Sequence, residues 1–372
     1  MSALKLRTLG SWYERNERRL SSLSLVTGFL FDLLFVQQID IAWQSVWVAS
    51  HITLAVLCIV IINWKRSALP QVLSIETNKF HFWMLSILQF LLGGMLGTLL
   101  LFYLKGAVLG ASWPFFLVLL VGVVGNEFLK KQYTRVSLQI GFIFFSIFLL
   151  LTYLVPYIAG TISPTLFVVS GLLSLLVITG IYFIVTLRIT KAEKASIKKT
   201  ASIVVASIYA GMNILYFSGV IPPLPLLLHD SGVFHAIQRN ENGTYTVVTE
   251  PARSNFLSRV GIYTPKPLFT YDGNPAYAYS AIGSPTSFNI SIVHQWQYKS
   301  PVSKKWETRA EITVPVSGGR SEGYRTYSLV RSLSEGNWRV NVQTTNGQTI
   351  GRIRFKVQQP NGPLPLETVT LP

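Results

Sequence analysis

Residues 336–357 read GNWRVNVQTTNGQTIGRIRFKV, and this stretch decides the fold of the C-terminal part of the chain. Asn346-Gly347 between two alternating runs is the signature of a type I′ hairpin with a two-residue loop. Thr345 then faces Gln348, Trp338 lies opposite Phe355, and Val340 lies opposite Ile353. One face of the hairpin becomes wholly apolar. The other face sets Arg339 opposite Arg354 and Asn341 opposite Arg352. A slip of one residue would turn every apolar side chain to the wrong face, so the register is well specified.

The same period of two extends outward. Phe288, Ile290, Ile292, His294, Trp296 and Tyr298 alternate with mostly polar residues, as a half-buried strand does. Trp306, Thr308, Ala310, Ile312 and Val314 follow suit, which predicts one shared face, with 299–305 joining the two strands as a hairpin. Further strands near 233–238, 244–250, 276–281 and 324–331 bring the total to about seven, which predicts a two-sheet, immunoglobulin-like β-sandwich over 229–372. The stretch 251–262 reads equally as a short helix or a loop.

His294-x-Trp296, Gly319-Arg320, Gly323-x-Arg325-Thr326-x-Ser328, Gly336-x-Trp338-Arg339-Val340 and Gly351-Arg352-x-x-Phe355 follow one another in a spacing that resembles domain of unknown function 2914. The resemblance covers about 288–357. It implies a bacterial membrane protein with N-terminal helices and a β domain, and it assigns no activity to any residue.

Upstream the period changes. Pro222-Pro223-Leu224-Pro225 opens a stiff linker, 222–228, and before it come seven apolar runs near 20–38, 43–63, 82–104, 107–126, 138–158, 165–187 and 201–221. The expected architecture is a polytopic α-helical membrane domain of about seven transmembrane helices, 20–221, behind a cytoplasmic arm, 1–19. Basic residues occupy every second gap. Lys5, Arg7, Arg15, Arg18 and Arg19 lie before the first run, then Lys65, Arg66 and Lys79, then Lys130, Lys131 and Arg135, then Arg188, Lys191, Lys194, Lys198 and Lys199. The intervening gaps hold only Lys105. By the positive-inside rule the N-terminus is cytoplasmic and the β domain extracytoplasmic; with the bacterial source that the resemblance implies, the expected location is the inner (plasma) membrane.

Composition agrees with a membrane class: half the residues are hydrophobic, 13% are charged, and mean hydropathy is +0.41. The net charge of +16 is spent largely on topology signals in short loops, which argues against a nucleic-acid partner. Cys58 is the only cysteine, so the β domain is expected to hold without disulfides.

Chemistry-bearing motifs are few. No nucleophile elbow, zincin motif, phosphate loop or zinc cysteine set occurs, so the expectation is no enzyme, no cofactor and no metal site. His229 and His235 read as surface residues. Four candidates remain. Arg339, Arg352, Arg354 and Lys356 form a cationic row, balanced either by Glu307 or Glu311 or by an external anion. Arg320 and Arg325 flank a glycine-rich loop that is either an anion cradle or a tight turn. His294 and Trp296 either line a binding site or fill the core with the imidazole bonded to backbone. Asp32 and His51 are an intramembrane polar pair on neighbouring helices. Gly93 and Gly97, four apart with Gly94 beside them, offer a packing seam. Two readings of function stay open: a binding or interaction module, anchored in the bilayer, for an anionic envelope ligand or partner protein, or a transporter or membrane enzyme acting on lipid-linked substrates.

Overall fold

The computed structural model describes residues 41–68, 79–105, 109–128, 135–224, 226–251, 267–283, 289–317, 323–360 and 362–371. They divide into a helical unit and a β unit, the latter taking Ser218 onward.

The helical unit holds six helices among the described residues: α1 (Ile41–Ala68), α2 (Lys79–Lys105), α3 (Leu109–Phe128), α4 (Val136–Ala159), α5 (Pro164–Thr186) and α6 (Lys191–Phe217). Five segments, Ala42–Lys65, Met84–Leu104, Val136–Ala159, Pro164–Thr186 and Lys191–Phe217, are long and apolar enough to cross a membrane by length and composition. The expected seven spans are therefore five among the described residues. In α3 the apolar stretch is Ser112–Gly125, about 21 Å at 1.5 Å per residue against a hydrocarbon core of about 30 Å. The run 20–38, with Asp32, lies outside the described residues.

Close helix approach is set by glycines other than the expected pair. A Cβ at Gly141 would lie 2.6 Å from Val204, and one at Gly171 would lie 2.8 Å from the Tyr209 ring, so α6 packs tightly on both α4 and α5. Phe167 and Tyr216 stack at 3.7 Å beside the second contact. Gly97 meets nothing within 4 Å, whereas Gly94 sits under His51, whose Nε2 would be 3.7 Å from a Cβ there. Polar groups in the helices are satisfied locally: Ser146, Thr152, Ser174 and Thr186 donate to carbonyls four residues back. Others reach farther: Asn63 of α1 donates to Gln139 of α4 at 2.9 Å, both buried, and Ser170 of α5 donates to Leu151 O of α4 at 2.9 Å.

Among the described residues the β unit has eleven strands: β1 (Leu227–Phe234), β2 (Ala236–Arg239), β3 (Tyr245–Thr249), β4 (Leu268–Thr270), β5 (Ala276–Gly283), β6 (Asn289–Lys299), β7 (Trp306–Ser317), β8 (Tyr324–Val330), β9 (Gly336–Thr344), β10 (Thr349–Gln358) and β11 (Glu367–Leu371). Leu227 and Leu228, read as linker from the sequence, begin β1. The stretch 252–266, undecided above, lies outside the described residues.

The strands form three sheets, not the two of an immunoglobulin-like sandwich: β4-β10-β9-β6-β7, β1-β5-β8 and β11-β3-β2. The reason lies in β5, whose sequence AYAYSAIG can be buried on both faces. Ala276 and Ala278 join Trp296, Trp338, Val340 and Phe355 of the five-stranded sheet and Ile282 joins its Ile292 and Val342, while Tyr279 and Ala281 pack with Tyr245, Ile237 and Leu371 of the third sheet. Small side chains on one face and tyrosines on the other let a single strand serve two layers.

The hairpin register holds as derived: Phe355 faces Trp338, Ile353 faces Val340, Arg354 faces Arg339 and Arg352 faces Asn341. The turn does not. Thr344 N–H bonds Gln348 O and Gly347 N–H bonds Thr344 O, which closes a three-residue loop, Thr345-Asn346-Gly347, with Gly347 at φ +82°. Asn346 does not take the positive φ that a type I′ turn requires. A second irregularity between Thr349 and Gly351 then shifts the pairing by one and restores the predicted register.

Candidate anion site

The outer face of the five-stranded sheet is built by alternate residues of β6, β7, β9 and β10. A bulge decides its composition. Trp296 pairs Ala310 but Gln297 pairs Thr308, so Arg309 is the extra residue and Trp306 and Thr308 turn to the outer face. The strict alternation expected over 306–314 is corrected accordingly, since each bulge inverts the facing of what precedes it.

Amide side chains form the floor. Gln297 Nε2 donates to Thr308 Oγ1 at 3.0 Å, and Gln295 Nε2 donates to Glu311 Oε1 at 2.8 Å. Asn341 Nδ2 donates to Gln295 Oε1 at 3.0 Å and Gln297 Oε1 at 3.2 Å. Two of the floor's oxygens receive arginines: Arg339 Nε donates to Gln297 Oε1 at 2.7 Å and Arg352 Nε to Asn341 Oδ1 at 2.6 Å. Arg339 also lies over the Trp306 ring at 4.2 Å. Arg339 and Arg352 are thus each held by Nε, and the terminal nitrogens, the pair that grips a carboxylate or phosphate, take no part in these bonds.

No carboxylate balances the row among the described residues. Glu307 pairs Arg309 at 3.0 Å, and Glu311, on the same face, accepts from Gln295, so neither internal partner considered from the sequence forms an ion pair with the row. Burial and the charges of Arg352 and Arg354 push the Arg339 guanidinium down to about 10. Burial and Arg354 lower Arg352 as well. Arg354 and Lys356 are exposed. Beside them is a depression of about 290 Å³ lined by Lys299, Trp306, Asn337, Trp338, Arg354 and Phe355. Lys299, Trp306 and Asn337 were missed by the sequence reading, Trp306 because the bulge is invisible in the alternation, the other two because they carry no motif.

The remaining candidates separate. Arg325 lies on β8, in another sheet, and donates to Gly243 O at 2.9 Å, while Arg320 lies outside the described residues. His294 is fully buried, with Nε2 2.9 Å from Ser280 Oγ and Nδ1 2.8 Å from Ser328 Oγ, and Trp296 Nε1 donates to the same Ser328 Oγ at 3.0 Å. The imidazole therefore bridges two sheets through serine hydroxyls instead of backbone. Burial pushes its pKa down to about 4, so it is neutral at pH 7. His51 bonds Trp47 O at 2.9 Å, and its proposed partner Asp32 is outside the described residues. His235, read as a surface residue, is half-buried, stacked on Phe269 at 4.2 Å and 3.3 Å from Glu250. His229 is exposed.

Residues 289–357 match the family described as protein of unknown function (DUF2914). The DUF2914 segment spans β6 to β10 and therefore contains the amide floor, the arginines, Lys299, Trp306 and Lys356 together. No curated protein matches the chain. Among solved structures, the Pseudomonas fluorescens alkylpurine DNA glycosylase AlkC bound to DNA containing an abasic site analog is similar at 10% identity over 86% of this chain and 99% of that chain, with a TM-score of 0.22, a likeness too low to carry an argument.

Proposed function

We propose that the β unit is a binding module for an anionic ligand, held at the outer side of a bacterial inner membrane by the helices, and that it performs no catalysis. The observation that carries this reading is an arginine row without an ion-paired carboxylate, on a floor that fixes Arg339 and Arg352 by one nitrogen each. Like charges opposed on a sheet disfavour one another, so Arg339 facing Arg354 has a native rationale only with a counter-ion. The cationic N-terminal end of α6, with Lys191, Lys194, Lys198 and Lys199, and the absence of basic residues in its last turn support an outward exit whatever the number of earlier crossings.

Two measurements on the full chain test the reading. A reporter that is active only after export, fused behind Pro372, is expected to be active. Millimolar inorganic phosphate is expected to raise the unfolding temperature of wild type and to leave Arg354→Gln unchanged. Equal response of both proteins, or none in either, overturns the binding reading.

A further inference from the structure

The cations are arranged as a line. Lys356, Arg354 and Arg352 occupy alternate positions of β10 on one face, with Arg339 of β9 directly beside the central one. Alternate residues of a strand are about 6.8 Å apart, so the row repeats that distance over about 13.5 Å. Six backbone bonds separate alternate Cα atoms. A phosphodiester chain with a three-carbon bridge, P–O–C–C–C–O–P, also has six bonds per repeat, and an extended chain of that make-up spans about 7 Å between phosphorus atoms. Charge spacing on the strand and on such a polymer therefore agree without distortion.

We infer that the ligand of this face is a linear phosphodiester polymer of a polyol or sugar, lying along β10 with one phosphate at each of Lys356, Arg354 and Arg352. This rests on the anion-binding reading above and adds the class of ligand to it. The central phosphate is gripped from both sides by Arg339 and Arg354, whose facing positions on adjacent strands suit bidentate contact. The depression bounded by Lys299, Trp306 and Asn337 receives the polyol or sugar between phosphates, with Asn337 as hydrogen-bond partner and Trp306 as an apolar wall. A nucleic-acid strand has the same backbone spacing but asks for an aromatic platform at successive bases. Of the three aromatics lining the depression, Trp338 and Phe355 are buried in the core, and Arg339 already covers one side of Trp306.

The test uses the full chain in a neutral detergent and measures Kd for glycerol-phosphate oligomers of one, two, three and six phosphates, with oligothymidylates of the same phosphate counts. We expect affinity to rise about a hundredfold from one phosphate to three and less than about threefold beyond, once statistical register effects are removed. Lys356→Gln and Arg352→Gln, both at the ends of the row, should each reduce the gain from one phosphate to three by about tenfold. Affinity independent of length would overturn the polymer inference and leave the anion site standing. Tighter binding of oligothymidylate than of the glycerol-phosphate oligomer would overturn it in favour of a nucleic acid. Absence of binding by any probe, inorganic phosphate included, would take down the anion reading itself.

Discussion

The two faces of the five-stranded sheet are made by the same four strands and obey opposite rules. On the inner face every polar atom of His294, Trp296, Ser280 and Ser328 that the core encloses finds a neutral partner, and Trp338 adds a bond from Nε1 to Ser334 O at 2.7 Å. On the outer face the amides are bonded to one another and to two arginines, yet among the described residues no carboxylate forms an ion pair with the arginines they support. Folding needs the first arrangement, because an unpaired buried polar group costs about 1–3 kcal/mol. It does not need the second. A charge surplus that the fold neither requires nor cancels is where a ligand is to be sought.

The largest effect should come from the inner face. Trp338 is 2% exposed and stacks on Phe355, so Trp338→Ala is expected to lower unfolding free energy by about 3–5 kcal/mol in denaturant titration. A loss under about 1 kcal/mol would mean that the two faces are not divided as described.

Acid should act next, and again on the inner face. His294 has a folded pKa of about 4 against about 6.5 when unfolded, so the unfolded chain binds the proton first. The neutral imidazole's contribution is complete above pH 6.5 and is lost as pH falls toward 4, by about 3 kcal/mol in all. Unfolding midpoints between pH 7.5 and 4.5 should show this loss in wild type and not in His294→Gln. A parallel decline in both proteins would show that other groups carry it.

The smallest effect should have the opposite sign. At low salt and without added anions, Arg354→Gln is expected to stabilise the protein by a few tenths of a kcal/mol, since it removes repulsion from Arg339 and Arg352. Destabilisation by the same change would reveal an internal partner and erase the contrast between the faces.

Much of this was legible in the residues. The pairing of Trp338 with Phe355 and of Arg339 with Arg354 follows from alternation alone, because only one register gathers the apolar side chains. That register survived an error in the turn. A bulge after Thr349 offsets the third loop residue, and both lie beyond what a dipeptide signal encodes. Trp306 was placed on the wrong face for the same reason: a single extra residue, Arg309, leaves no trace in composition. The third sheet escaped because β5 has two buried faces and its alternating Ala and Tyr look like one apolar run. Ser280 and Ser328 lie 14 and 34 positions from the histidine they bond, and no local pattern links them.

The middle position of β5 has a kinetic consequence. It pairs with β1 and β8, each about fifty positions away along the chain, and both of its faces are covered by other sheets. Closing loops of that length precedes any reward from burial, so the assembly of β5 is a natural bottleneck in folding. Once in place, its amides can reach solvent only when the neighbouring layers come apart, and their hydrogen exchange reports the opening of the whole β unit.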